Sequence, residues 1–276
     1  MYRSFFSRVL GLATIAMLQC GFAAAGEAQT VAATEAAASL APGGRLRAAI
    51  NLGNGVLAQR DPASGELTGV SVVLANELAA QLGVPLDLVT YLSAGMVFDA
   101  VERGEWDIAF LAIEPERAEK VRFSQPYVYI DGTYLVRTDS AFADIADLDR
   151  DGVSIAVGSG AAYDLYLTRN LQRASLLRLP TSAQAIAAFK AGDADAAGGV
   201  RQALVDAARE HPAQANQAFT IAIGEGVIKH QGQAVVVGRL QDFGHGQPQG
   251  RRQLFPHPTT EFSKVKALLA LVQLQL

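Results

Sequence analysis

The chain has 276 residues, of which half are hydrophobic and 18% are charged, and its formal net charge at pH 7 is −4. This length predicts two modest α/β domains, and the composition excludes wholesale disorder. A nucleic-acid or anionic-membrane partner would need a basic patch. The acidic balance argues against such a partner, and no Lys/Arg run is longer than Arg251-Arg252.

The N-terminus has the three parts of a secretory signal. Arg3 and Arg8 supply positive charge, an apolar stretch covers 9–22, and the small residues 23–25 offer a cleavage site. The apolar stretch is shorter than the ~20 residues that a membrane-spanning helix needs. We therefore predict a cleavable signal peptide over 1–25 and a periplasmic location.

Cys20 is the only cysteine and lies inside this signal. Lipoprotein processing is the less favoured alternative, because Gln19 is a poor fit to the small residue expected before a lipidated cysteine. After cleavage the chain would hold no thiol, which excludes disulfides and cysteine metal sites. The four histidines lie in the last quarter without metal-ligand spacing, so neither a metal nor a cofactor is predicted.

Two sets of alternating strands and helices follow a flexible leader predicted over 26–43. The first set has strands at 46–52, 84–92 and 107–112, with helices at 70–82 and 93–103. The second set has strands at 153–157, 176–179 and 194–197, with helices at 161–171 and from Thr181 or Ser182 to Gly192. An extended segment over 132–137 joins the two sets.

This order predicts an α/β fold with parallel βαβ units in two lobes, covering 44–134 and 135–215. Ligands of open α/β sheets bind at the carboxyl ends of the strands. The cleft between the lobes is therefore the expected site.

The sequence contains no serine-hydrolase elbow, phosphate-binding loop or dinucleotide fingerprint, so a binding role is favoured over catalysis. The turn at 158–161 opens a helix, where free backbone N–H groups attract anions; the alternative is a simple strand-to-helix turn. Arg117 follows a buried strand and can clamp a carboxylate with two parallel bonds. The alternative is a surface arginine paired with Glu114 or Glu116.

Five segments then resemble the extracellular solute-binding proteins of family 3, the polar-amino-acid receptors of ATP-driven importers. The match covers about residues 45–200, and Phe-Ser-x-Pro-Tyr after Pro-Glu-Arg is its most specific part. The segments are 65–75, Gly104-Glu-Trp-Asp-Ile-Ala109, Glu114-Pro-Glu-Arg117, Val121-Arg-Phe-Ser-Gln-Pro-Tyr127 and 185–195.

The resemblance implies a type II periplasmic-binding-protein-like fold. It also implies that Arg117 clamps the ligand carboxylate, that hinge closure traps the ligand, and that an inner-membrane ABC permease recognises the closed form. A monomer is the family expectation. The other implied ligand-binding residues are Asn54, Leu57, Ala112, Ser159, Gly160 and Ala161.

Two positions depart from the family pattern. Glu114 stands where the family has threonine, and the second-lobe acid that holds an α-ammonium falls on Val200, next to Arg201. Three interpretations stay open: Glu114 holds the ammonium; the ligand has none and Arg201 meets a second anionic group; or Glu114 is only an i,i+3 partner of Arg117. The ligand is thus expected to be a carboxylate-bearing metabolite, either an amino acid or a related organic acid.

The segment 216–276 is expected to return to lobe 1 with a strand and a closing helix, but the resemblance fades from about residue 217. A divergent tail and a frame change both explain this, and 260–272 has the pattern of an amphipathic helix. The alternative function is an enzyme on the same scaffold, similar to cyclohexadienyl dehydratase. Glu114 would then be its general acid.

Overall fold

The computed structural model describes residues 34–142, 144–209, 219–221 and 229–239. The first described element is helix α1, over 34–40. The elements that follow are β1 (Leu46–Asn51), β2 (Gln59–Arg60), β3 (Leu67–Thr68), α2 (Val70–Leu82), β4 (Leu86–Tyr91), α3 (Ala94–Asp99), β5 (Ile108–Ala112) and α4 (Pro115–Ala118).

The second half begins with a strand of 17 residues, β6 (Val121–Arg137). A short 3-10 helix at Ile145–Leu148 follows it. The remaining elements are β7 (Ser154–Gly158), α5 (Ala162–Asn170), β8 (Ser175–Leu179), α6 (Ser182–Ala191), β9 (Ala196–Val200), α7 (Arg201–Arg209), β10 (Phe219–Ile221) and β11 (Lys229–Arg239).

Helix boundaries follow the capping residues seen in the sequence. Helix α2 ends at Gly83, which adopts the left-handed conformation with φ of 67° that glycine tolerates best. The Ser93 side chain caps α3 by accepting a hydrogen bond from the Met96 N–H. Helix α3 is shorter than predicted, because 100–104 continues as tight turns with i→i+3 hydrogen bonds that end at Gly104.

The strands form one sheet with the order β4-β1-β5-β11-β6-β9-β7-β8, and β10 also pairs with β6. Strand β1 is parallel to β4 and β5, and β7 is parallel to β8 and β9. The long strands β6 and β11 run antiparallel between these two parallel halves. Along β6, pairing passes from β11 to β9 at Gly132, so the two lobes are joined by long, continuous strands.

Each lobe has its own hydrophobic core. In lobe 1, Leu74 and Leu78 of α2 pack with Leu46 and Ile50 of β1. A separate cluster in lobe 2 contains Tyr134, Val136, Ile155, Val157 and Leu167. Separate cores allow the lobes to move as units about the strands that join them.

The flexible leader predicted over 26–43 is wrong for its second half. Residues 34–40 are helical, and Ala36, Leu40 and Ala41 are buried in the lobe 1 core. Ala36 and Leu40 are four residues apart and therefore share one helix face. Sequence analysis did not detect this short apolar face, because the segment is rich in alanine.

The expected return strand is present, although the sequence resemblance fades before it. Strand β11 lies between β5 and β6, and its Ala234 and Val236 are fully buried. The glutamines and glycine at 231–233 interrupt the apolar alternation that would have marked it. The signal peptide over 1–25 and the amphipathic helix predicted over 260–272 lie outside the described residues. Among the described helices, none has the length and apolarity to cross a bilayer.

Candidate functional site

A cleft lies between the lobes at the carboxyl ends of the parallel strands, as expected for open α/β sheets. The empty space in the cleft amounts to about 470 Å³, part of which is open solvent. From lobe 1 and the joining strand β11, it is lined by Asn51, Gly53, Asn54, Ser93, Ala94, Phe110, Leu111, Ala112, Arg117 and Gln233. From lobe 2, it is lined by Gly158, Ser159, Ala161, Ala162, Tyr163, Ser182 and Val200.

Arg117 on α4 lies at the contact between the lobes and is only 1% exposed. Its Nη1 donates to the Ala112 carbonyl at 3.0 Å, and its Nη2 donates across the cleft to the Gly160 carbonyl at 2.8 Å. Its Nε has no hydrogen-bond partner within the described part of the chain. Burial lowers the pKa of Arg117 to about 10, against the opposing effect of the nearby Glu114 and Glu116. The guanidinium therefore stays charged at neutral pH.

The turn at 158–161 brings the two backbones into contact. A Cβ on Gly95 of α3 would come within 2.6 Å of the Ser159 carbonyl oxygen, and one on Gly160 within 2.8 Å of the Gly95 Cα. Real Cβ atoms do not approach backbone atoms so closely, so glycine is required at both positions. The lobes therefore meet backbone to backbone at this point.

The prediction that the N–H groups of this turn are free to bind an anion is wrong. The Ser159 N–H donates to the Leu179 carbonyl at 2.7 Å, and the Ala161 N–H donates to the Gly158 carbonyl at 3.1 Å. The Gly160 N–H donates to the Asp164 carboxylate at 2.8 Å. Because these three donors are used inside lobe 2, the turn presents its Gly160 carbonyl to Arg117 instead.

Glu114 is fully buried at the N-cap position of α4. Its Oε2 accepts a hydrogen bond from the Nη2 of Arg169, on α5 of lobe 2, at 2.6 Å. The Arg169 side chain is 37% exposed, so the pair reaches the edge of the interface. Glu114 thus joins the two lobes and is not among the described residues that line the cleft.

The remaining predicted residues fall in different places. Asn54 lines the cleft, and its Oδ1 accepts a hydrogen bond from the Val56 N–H. Leu57 is buried outside the lining, and its carbonyl accepts from the Ser71 N–H at the start of α2. Arg201 also lies outside the lining, with its Nε 3.8 Å from the Asp131 carboxylate.

Sequence analysis missed several polar residues of the cleft. The Oδ1 of Asn51 accepts from the Gly53 N–H at 2.9 Å, and the Tyr163 and Ser182 hydroxyls are 2.7 Å apart. Asn51 ends β1, while Tyr163 and Ser182 follow β7 and β8. Their position just beyond parallel strands is the signal that could have identified them. Gln233 lies on β11, where the sequence pattern gave no such signal.

Two α/β lobes, two long joining strands and an interlobe cleft with a buried arginine define a ligand-binding protein of the type II periplasmic class. Residues 58–222 match the sequence model of family 3 of the bacterial extracellular solute-binding proteins, and the chain belongs to this family. The family resemblance identified from the sequence is therefore confirmed.

Two relatives support the same assignment. The probable ABC transporter extracellular-binding protein YckB of Bacillus subtilis is 34% identical over 109 residues, covering 39% of this chain and 37% of the relative. The glutamine-binding protein of Geobacillus stearothermophilus is 24% identical over 175 residues, covering 61% of this chain and 65% of the relative. The matched segments therefore span less than two thirds of each relative's length.

Solved structures share the fold. Holo ArgBP from T. maritima matches with a TM-score of 0.64 at 23% identity, covering 84% of this chain and 92% of that one. The ancestral amino acid-binding protein AncCDT-1, a precursor of cyclohexadienyl dehydratase, matches with a TM-score of 0.61 at 24% identity, covering 84% and 90%. These matches confirm the predicted fold class.

Proposed function

We propose that this chain is the periplasmic substrate-binding protein of an ABC-type importer. It closes its two lobes over a small carboxylate-bearing metabolite, either an amino acid or a related organic acid. The closed form is then recognised by an inner-membrane permease. Family membership supports this proposal, as does the similarity to a probable ABC transporter extracellular-binding protein and to a glutamine-binding protein.

The observation that carries the proposal is the state of Arg117. A guanidinium that is 1% exposed has lost its hydration; Arg117 is a lining residue of the cleft, and its Nε has no hydrogen-bond partner among the described residues. A buried charge is costly unless it is paired. A carboxylate would supply both the opposite charge and two parallel hydrogen bonds.

Closure follows from the way in which Arg117 contacts both lobes. It belongs to lobe 1, and its Nη2 already reaches the Gly160 carbonyl of lobe 2. A carboxylate bound beside it would lie against the 158–162 segment, so ligand contacts would be complete only when the lobes meet. A ligand that contacts both lobes favours the closed state by its difference in affinity for the closed and open forms. The long strands β6 and β11 would absorb this hinge motion.

An enzyme on the same scaffold is the less favoured alternative. Its general acid would be Glu114, because sequence analysis offers no other candidate. That carboxylate is fully buried, accepts a hydrogen bond from Arg169 and lies outside the described lining of the cleft. This position suits a charge partner between the lobes better than a proton donor to a ligand.

A ligand screen on the exported, processed protein tests the proposal. Thermal unfolding is measured with amino acids, dicarboxylates and small organic acids, and we expect one chemical group of acids to raise the Tm. A ligand at 100 times its Kd adds about 2.7 kcal/mol of stability. Titration calorimetry then measures the affinity of the acids that raise the Tm.

Arg117→Ala should abolish the Tm shift, because the carboxylate loses its charge partner. Arg173→Ala is the matched control, since Arg173 is exposed and lies outside the described lining. Equal shifts in both variants would contradict the assignment of Arg117 as the clamp. A cooperative melt with no shift for any acid would contradict the proposed function.

A further inference from the structure

A buried carboxylate lies directly behind the turn that contacts the clamp arginine. Asp164, in the first turn of α5, is 3% exposed and is not among the described residues that line the cleft. Its Oδ2 accepts a hydrogen bond from the Gly160 N–H at 2.8 Å. The Gly160 carbonyl in turn accepts from Arg117 Nη2 at 2.8 Å. A single residue, Gly160, therefore connects Asp164 to the proposed clamp.

Of the three N–H donors at 159–161, one is held by a side chain. The Ser159 and Ala161 N–H groups donate to backbone carbonyls of lobe 2. The Gly160 N–H donates instead to the Asp164 carboxylate. Because a backbone N–H away from water has to be paired, this bond fixes the peptide that joins residues 159 and 160. Removal of the carboxylate would release that peptide and leave the other two bonds in place.

The orientation of this peptide decides which atoms of lobe 2 face lobe 1. In a planar trans peptide, the N–H and the C=O point in opposite directions. Since the Gly160 N–H points into lobe 2 at Asp164, the Ser159 carbonyl points away from it, toward α3 of lobe 1. This carbonyl oxygen lies 2.6 Å from the position that a Cβ on Gly95 would take. Asp164 thus fixes the backbone surface that meets Gly95.

Arg178 holds the Asp164 carboxylate from the neighbouring strand β8. Its Nε donates to Oδ1 of Asp164 at 2.9 Å, and its Nη2 donates to Oγ1 of Thr168 at 2.7 Å. Asp164 and Thr168 are four residues apart and share one face of α5. The Asp164 side chain is 4% exposed and that of Arg178 is 43% exposed. A buried carboxylate is costly without a partner, so this pairing favours one position of the Asp164 side chain.

We propose that Asp164 is a positioning residue of the ligand site, which acts through Gly160 and not by contact with the ligand. It holds the 158–161 turn in the form that meets Arg117 and Gly95 when the lobes close. This inference rests on the proposed function and adds a residue to its site. Without the carboxylate, closure of the lobes would also have to order the turn, and the affinity for the ligand would fall.

Replacement of Asp164 tests this role in binding. The probes are the twenty standard L-amino acids, and those that raise the Tm of the parent protein are titrated by calorimetry. For Asp164→Ala we expect the affinity to fall at least about tenfold, because ordering the turn is paid from the binding free energy. Asp164→Asn keeps an acceptor for the Gly160 N–H and should lose less. An affinity of Asp164→Ala equal to that of the parent protein would overturn the inference.

Asp149→Ala is the matched control within lobe 2. The Asp149 carboxylate accepts hydrogen bonds from three N–H groups at 172–174, just before β8. This end of β8 is opposite the cleft, which lies at the carboxyl ends of the parallel strands. Asp149→Ala should therefore lower the Tm but keep the affinity within about twofold of the parent value. An equal loss of affinity in both variants would show a general weakening of lobe 2 and would overturn the positioning role.

Two measurements report on the turn in the protein without added amino acid. Hydrogen exchange of the Gly160 amide should be faster in Asp164→Ala and unchanged in Asp149→Ala. Each variant is then combined with Arg117→Ala. The Tm losses should not add for Asp164→Ala, because both residues act on Gly160, whereas they should add for Asp149→Ala. Additive losses for Asp164→Ala would overturn the inference.

The positioning role and the proposed function fail differently. Amino-acid binding by the parent protein that Asp164→Ala leaves unchanged would overturn the positioning role and leave the receptor function standing. If no amino acid, dicarboxylate or small organic acid raises the Tm of a protein that melts cooperatively, the receptor function is overturned. The exchange rate of the Gly160 amide and the Tm losses then still decide the positioning role. Far-UV circular dichroism of each variant establishes that lost binding does not come from lost folding.

Discussion

The two lobes contribute to the cleft in different ways. Lobe 1 supplies the buried cation Arg117 and the polar side chains of Asn51, Asn54 and Ser93. The described lobe 2 residues that line the cleft are uncharged. The N–H groups of Ser159, Gly160 and Ala161 in the 158–161 turn are used in bonds within lobe 2, and the Gly160 carbonyl accepts from Arg117. On the proposed function, we expect lobe 1 to recognise the charge of the ligand and lobe 2 to complete and close the site.

The lobes also differ in how the chain builds them. The parallel strands of lobe 2 come from one continuous stretch, β7 to β9. Among the described strands of lobe 1, the sheet reaches β6 through β11, which begins more than 90 residues after β6 ends. Lobe 1 therefore depends on a distant segment for its completion, and damage to that segment should affect the lobe that carries the charge.

The largest effect is expected for Val236→Asp on β11. Val236 is fully buried in a lobe 1 cluster with Ala109 and Leu111, so the variant buries an unpaired charge. The cost is several kcal/mol, and we expect loss of cooperative unfolding of lobe 1 in chemical denaturation. Val73→Asp is the matched control, because Val73 is 49% exposed on α2. Equal stability of the two variants would show that lobe 1 does not depend on β11.

Gly95→Ala is expected to oppose closure of the lobes while leaving the folding of lobe 1 intact. Alanine suits helix α3 better than glycine, so lobe 1 should keep its stability. The new Cβ would meet the Ser159 carbonyl oxygen at 2.6 Å, which opposes closure. Such overpacking costs about 1–3 kcal/mol, or about a five- to 150-fold loss of affinity in calorimetry.

The control is Gly55→Ala, where an added Cβ would meet nothing within 4 Å. This variant should bind like the parent protein. If Gly95→Ala retains full affinity, the close approach of the 158–161 turn to α3 is not a feature of the ligand-bound form.

The ion pair between Glu114 and Arg169 should stabilise the closed form by a smaller amount. Arg169 is 37% exposed, so solvent screens part of the interaction. A double-mutant cycle with Glu114→Gln and Arg169→Gln should give a coupling energy of about 1 kcal/mol in ligand affinity. We expect the effect to appear mainly as faster ligand release in stopped-flow experiments. No coupling would mean that the pair does not hold the lobes together.

The smallest effect at physiological pH is expected from the titration of Arg117, whose pKa burial lowers to about 10. Since a carboxylate pairs with the protonated guanidinium, affinity should be flat near neutrality and fall as pH rises through about 10. In the free protein, the titration of Arg117 changes the free energy of unfolding in the opposite direction. The unfolded chain holds this proton more tightly, so the contribution of Arg117 to stability rises as pH increases above about 10. Calorimetry across this range measures the first effect, and a fall in affinity that begins well below pH 10 would contradict it.

Sequence patterns predicted the elements of the fold where local signals were strong. Helix α2 and its end at Gly83, the cap of α3 by Ser93 and the ends of α6 at Thr181 and Gly192 all agree with the structure. These features depend on capping chemistry within a few residues. Strand β11 was difficult to predict because its partners β5 and β6 are distant in sequence and its alternation is interrupted.

The site was predictable only in part. The cleft and the place of Arg117 follow from strand order, since α4 begins just beyond β5. The bond between Glu114 and Arg169 joins side chains 55 residues apart, and no local pattern encodes it. The internal bonding of the 158–161 turn depends on the orientation of Asp164, which the sequence alone does not give. Contacts between the lobes depend on tertiary structure, so local sequence patterns do not predict them.

A crystal structure with the acid that gives the largest Tm shift would test the central claim most directly. The account predicts that the ligand carboxylate lies within hydrogen-bond distance of the Arg117 guanidinium, between that residue and the 158–162 segment of lobe 2. A ligand whose carboxylate is held elsewhere, with Arg117 still bonded only to the Ala112 and Gly160 carbonyls, would contradict it.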